Sequence, residues 1–163
     1  MSTKIRPAEA KDRNTYIDFT LQLSKFNRSQ HHESCKYDDY NKVLQAIKEM
    51  AEDRFDNQNK DSIILIAELD NEPVGYALGR IYQEDKTLDN GTGLIGLFDE
   101  LFIGKKARGF GLGQKLIDEI LIWMKEKGIN RVKLHAYSWN DNAKRIYESN
   151  GFKEYAVSYE KFI

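Results

Sequence analysis

Arg108-Gly109-Phe110-Gly111-Leu112-Gly113 has the composition of an anion cradle. The run follows an extended apolar segment at 96–103 and leads directly into an amphipathic pattern at 112–127. Glycine lets a backbone come close to a ligand, and the open N–H groups and dipole of a helix N-terminus favour phosphate oxygens. A turn that only packs a strand against a helix would read the same way, so this run leaves both readings open. A second run spaces Asn140, Ala143, Tyr147, Gly151 and Phe152 as Asn-x-x-Ala-x-x-x-Tyr-x-x-x-Gly-Phe. Asn140 suits a helix N-cap, Asn150-Gly151 a left-handed stop, and Phe152 the start of the next segment. Ala143 and Tyr147, four apart, share one helical face. Two further chemistries stand out: the acid pair Asp99-Glu100, and His135, which alternates with Val132, Leu134 and Ala136 and so faces away from them. His31-His32-Glu33 invites a metal reading, but adjacent histidines in extended chain point apart and no third ligand is evident, so no metal is expected. The Gly-Lys-Ser/Thr of a nucleotide-hydrolysing P-loop is missing.

The elements that must position these residues follow from periodicity. Strands are expected at 4–6, 63–67, 74–82, 96–103, 131–137 and 157–162; helices at 12–26, 38–53, 112–127 and 140–150. The run at 63–67 is too continuously apolar to have a wet face. Residues 27–36 and 84–93 read as polar loops. A strand meander followed by strand–helix–strand implies a mixed α/β sheet in three layers.

At 163 residues, 40% hydrophobic and net charge −1, the chain has the size and balance of one globular domain. Near-neutrality argues against a general nucleic-acid binder, and no apolar run reaches the roughly 18 to 20 residues that span a bilayer. Cys35 is the single cysteine, which excludes an intramolecular disulfide framework. A soluble, cytoplasmic protein is the expectation.

The two motif runs together resemble the GNAT superfamily of acetyl-CoA-dependent N-acetyltransferases. Its pyrophosphate loop reads Arg/Gln-x-x-Gly-x-Gly/Ala, matched by Arg108, Gly111 and Gly113, and its later helix carries the Asn…Ala…Tyr…Gly-Phe pattern. The resemblance covers nearly all of the element order, including the opening Ile5-Arg6-Pro7-Ala8 with Asp12. It departs at Lys105, where the family often has proline. It implies a GNAT-type three-layer α/β fold in one domain, 1–163, whose mixed, mostly antiparallel sheet splays between the strands at 97–103 and 131–137. Acetyl-CoA would lie in that gap. Main chain of Leu101, Phe102 and Ile103 would pair with the pantetheine arm, and one N–H there would polarise the thioester carbonyl. Arg108, Gly109, Phe110, Gly111, Leu112, Gly113 and Gln114 would hold the pyrophosphate, with Lys105, Lys106 and Lys115 adding positive charge. Asn140 would hydrogen-bond the pantetheine.

In this reading Tyr147 protonates the departing CoA thiolate. The general base stays open between the pair Asp99 and Glu100 and the histidine His135. The acid pair is similar to that of polyamine-type acetyltransferases; His135 takes a place where protein N-terminal acetyltransferases can carry glutamate. With Glu84, Asp85 and Asp89 nearby in sequence, the acid pair favours a small cationic amine acceptor, polyamine-, diamine- or aminoglycoside-like. A protein or peptide N-terminus or lysine is the alternative acceptor. A CoA-binding sensor without turnover is the alternative of another class. The loop at 27–36 would border the acceptor. Cys35 gives no support for an acetyl-cysteine intermediate, and family members often dimerise through their C-terminal strands.

Overall fold

The computed structural model describes residues 1–31, 39–85 and 93–163. Five strands form one sheet in chain order: β1 (Thr3–Pro7), β2 (Ser62–Leu69), β3 (Glu72–Gln83), β4 (Leu94–Ile103) and β5 (Val132–Leu134). Neighbours are antiparallel except β4 and β5, which run parallel. The β2–β3 hairpin turns on Asp70 and Asn71 at φ 51° and 67°, the left-handed values that Asp and Asn tolerate best among side-chain-bearing residues. Ile64, Leu65, Ile66 and Ala67 are all buried, because β2 has apolar packing on both faces.

One face carries α1 (Arg13–Gln30) and α2 (Tyr40–Asp56), with Tyr16, Ile17, Ala51 and Phe55 packed on Ile64, Ile66, Tyr76 and Phe102. The other carries α3 (Leu112–Glu126), whose Leu112, Leu116, Ile117, Ile120 and Met124 meet Leu65, Ala77 and Phe98. The last helix, α4 (Asp141–Ser149), adds Tyr147 to that second cluster. Helix α1 runs to Gln30, past the expected polar break, because polar residues on a solvent-facing turn still complete its backbone hydrogen bonds. The opening motif also finds its reason. Arg6 on β1 donates to Asp12 at 2.6 and 2.9 Å and to Glu68 on β2 at 2.7 Å, and all three are buried.

Two strand expectations are corrected. The ladder of β5 spans three residues instead of 131–137, pairing only with Gly96, Leu97 and Phe98. Beyond Phe98, β4 keeps its partners on β3 through Ile103, while Tyr137 and Trp139 turn away to pack on α1. Residues 152–163 form no strand: Tyr155, Val157 and Tyr159 are 68%, 60% and 94% exposed. Alternating apolar residues make a strand only where an edge and a core receive them.

Candidate functional site

The turn between β4 and α3 keeps the shape of a cradle. Gly111 caps α3 at φ 73° and no side chain caps the helix, so its first N–H groups point outward without a side-chain acceptor. No acidic residue stands in that first turn. Gly113 is more telling, since its φ is not among the positive ones and its surroundings make no steric demand for glycine. A Cβ added at Gly109, Gly111 or Gly113 would meet nothing within 4 Å. Neither packing nor, at Gly113, backbone geometry explains a missing side chain, whereas a ligand lying against the backbone does. Arg108 donates to Ile103 O at 3.2 Å and lies over the Phe26 ring. Lys105 and Lys106 sit on the approach to the loop, and Phe110 is 39% exposed. Lys115 is tied to Thr3 Oγ1 at 2.6 Å, and Leu112 is buried, so it offers only main chain.

Tertiary structure joins the two sequence motifs. The Gln114 and Asn150 side-chain amides bond reciprocally at 2.6 and 3.0 Å, tying the first turn of α3 to the end of α4. At the other end of α4, Asn140 Oδ1 accepts from Ala143 N at 3.1 Å, which leaves its amide N–H donors as the groups that can meet a ligand. Tyr147 packs edge-on to Phe98 of β4 at 6.3 Å, and burial pushes its phenol up. Leu101, Phe102 and Ile103 pair with Ala77, Tyr76 and Gly75 on one side; on the other, the β5 ladder has already ended. That unpaired margin can accept an extended ligand as an added strand.

A bulge in β4 places the acid pair. The register steps from Leu78↔Glu100 to Gly79↔Phe98, so Asp99 is the extra residue and both carboxylates turn to the α2 side. In a regular strand neighbours would face opposite ways. Arg54 of α2 binds both, to Asp99 Oδ2 at 3.3 Å and to Glu100 Oε1. Arg80 of β3 reaches Asp99 Oδ2 at 2.6 Å, and Tyr76 donates to Glu100 Oε2 at 2.7 Å. Burial raises the Glu100 carboxyl above the ordinary range, against the opposing pull of Tyr76 and Arg54. Sequence reasoning missed Arg54 and Arg80, since neither sits in a motif and only packing of α2 and β3 brings them here. Two carboxylates face two guanidiniums, so the cluster is close to neutral. His135 follows Leu134, the last paired residue of β5, and is exposed.

Among the described residues no group of three His, Cys, Asp or Glu is placed to hold a metal, and no helix is long and apolar enough to cross a membrane. His32, Glu33, Cys35 and Asp89 lie outside the described residues. His31 joins an aromatic group with Phe26, Tyr137 and Trp139, accepting from Trp139 Nε1 at 3.2 Å.

The model of the acetyltransferase (GNAT) family matches residues 26–152. No match exists among curated proteins. Among solved structures, a predicted acetyltransferase with acetyl-CoA from Clostridium acetobutylicum superposes with TM-score 0.73 at 18% identity, over 99% of this chain and 96% of that one. Glucosamine-6-phosphate N-acetyltransferase from Arabidopsis thaliana gives 0.65 at 18%, covering 99% of both. Ribosomal-protein-alanine N-acetyltransferase from Brucella melitensis gives 0.67 at 18%, again over 99% of both. At such identities the likeness concerns the fold.

Proposed function

The chain belongs to the GNAT acetyltransferase family, and from that premise we propose that it transfers the acetyl group of acetyl-CoA directly to the amine of a small cationic acceptor. GNAT enzymes use acetyl-CoA as co-substrate, and one neighbour in fold is a predicted acetyltransferase with acetyl-CoA. The observation that carries the placement is the open cradle at Gly109, Gly111 and Gly113, above an uncapped helix N-terminus. The pyrophosphate rests there on main-chain N–H groups up to Gln114, with Arg108 alongside. The pantetheine runs along the unpaired margin of Leu101, Phe102 and Ile103, met by the Asn140 amide. A main-chain N–H of that margin holds the thioester oxygen as it becomes an oxyanion.

The amine must lose a proton to attack. An alkylammonium with pKa near 10.4 stands roughly 3 to 4 units above neutral pH, a cost of about 4 to 5 kcal/mol. Glu100 is the better base: burial raises its carboxyl, and a weaker acid is a stronger base for this transfer. Asp99, held between Arg54 and Arg80, positions the cluster. His135, exposed past the end of β5, is the alternative base. Tyr147 protonates the thiolate as CoA leaves. The near-neutral acid cluster favours an acceptor with a single ammonium over a polycation. The exposed apolar residues of 152–163 support a homodimer built on that tail.

Gly113→Glu tests the reading. Helix α3 tolerates the change, because nothing lies within 4 Å and a glutamate near a helix N-terminus is favourable. Acetyl-CoA affinity by calorimetry should fall at least tenfold, about 1.4 kcal/mol. Unchanged affinity would remove the cradle.

A further inference from the structure

The gap between β4 and β5 has two very different faces. Towards α3 it is closed: Phe98, Leu101, Ile103, Val132, Leu134 and Tyr147 all pack into the α3 core. An acceptor therefore arrives from the α1–α2 face. One side of that approach is the balanced cluster of Asp99, Glu100, Arg54 and Arg80, which offers a polycation little net attraction.

The other side is aromatic. Tyr137 and Trp139, on the segment between β5 and Asn140, stack at 5.6 Å with planes 12° apart. Phe26 and His31, at the end of α1, brace them edge-on: Phe26 to Trp139 at 5.9 Å and His31 to Tyr137 at 4.4 Å. The Trp139 N–H donates to His31 Nε2 and fixes the indole. Through Arg108 over Phe26, the group adjoins the glycine loop as well. Rings that served packing alone would be enclosed, yet Tyr137 and Phe26 keep 48% and 41% of their surface exposed. A rigid pair of parallel rings beside a charge-balanced cluster selects for a flat apolar body carrying one amine.

Resting on the acetyltransferase reading above, we propose that Tyr137 and Trp139 form the platform that receives the body of the acceptor, and that this acceptor is an aromatic ring on a short aminoalkyl arm. The ring stacks on the platform, and the arm brings its amine to the unpaired margin of β4. Polyamines lack the group that the platform recognises.

The experiment compares 2-phenylethylamine with 2-cyclohexylethylamine, equal in length but not flat, and with spermidine, by CoA release. The phenyl amine should exceed both in kcat/KM, by ~3- to 10-fold over the saturated ring. Tyr137→Leu, at a half-exposed site, should abolish that preference and leave the KM for acetyl-CoA unchanged. Binding is followed separately in Trp123→Phe, which leaves Trp139 as the sole tryptophan of the two. Its fluorescence should change as 2-phenylethylamine is added to the CoA-loaded protein. Equal rates for both rings, a preference that survives Tyr137→Leu, or an unchanged signal would each overturn the platform. Turnover of all amines without ring preference rejects the platform and keeps the transferase; a fluorescence response with no CoA release from any amine keeps the platform and rejects the transferase.

Discussion

In the proposed reaction Tyr147 carries a proton that must survive until the thiolate appears. Burial pushes its phenol up from an ordinary value near 10, so it stays protonated throughout the neutral range. Tyr147→Phe deletes that proton and keeps the ring against Phe98; kcat should fall by roughly 10² to 10⁴ with acetyl-CoA binding retained. A kcat near that of the parent would assign the proton to water. Glu100 works in the opposite sense. Because burial raises its carboxyl, its contribution to stability is greatest below its unfolded pKa and is lost as pH rises through the folded value. As the proposed base it becomes useful where that stability ends. Glu100→Gln should thus cost roughly 10²-fold in kcat/KM and remove the acid limb of the pH–rate profile. Thermal unfolding near pH 7 should hold steady or improve. An acid limb that persists would move the base to Asp99 or His135.

At the scale of elements, β1, β2 and the start of α1 are held by one buried guanidinium between two carboxylates. The hydrogen bond from Arg6 holds the Asp12 carboxyl below its usual range, so that stabilisation is present above the unfolded pKa and is lost as pH falls through the folded one. Asp12→Asn removes one partner of a buried pair and should cost about 3–5 kcal/mol in chemical denaturation at pH 7. The difference from the parent should shrink as pH drops below the ordinary aspartate value of about 4 towards the lower folded one, through which the parent's own carboxylate is protonated. A pH-independent difference would mean that Asp12 acts through shape alone. The bulge at Asp99 works on the same scale. By inserting one residue opposite β3 it turns two neighbouring carboxylates to one face, which no regular strand could do.

For the whole molecule, residues 152–163 bear on assembly. Their alternation of Tyr155, Val157 and Tyr159 is that of a strand, the three residues of β5 leave that end of the sheet short, and the tail stays exposed. The homodimer proposed above gives them a second copy to pair with. Light scattering should find a dimer for the full chain and a monomer for one ending at Phe152. A monomeric full chain, or a dimer that survives the truncation, would separate assembly from this tail.

Much of this protein was fixed by local pattern. The apolar run of β2, the amphipathic period of α3 and the spacing from Asn140 to Phe152 each depend on neighbours within a few turns of chain, and each stands where the sequence placed it. The glycine loop was legible for the same reason, since a left-handed φ and an uncapped helix start are local properties. The extent of β5 and the fate of the tail were not, because a strand exists only against a partner that distant chain supplies. Nor was the charge of the acid pair. Asp99 and Glu100 read as a field open to a cation until α2 and β3 brought Arg54 and Arg80 against them. Coulomb energy depends on distance through space, and a sequence records only distance along the chain.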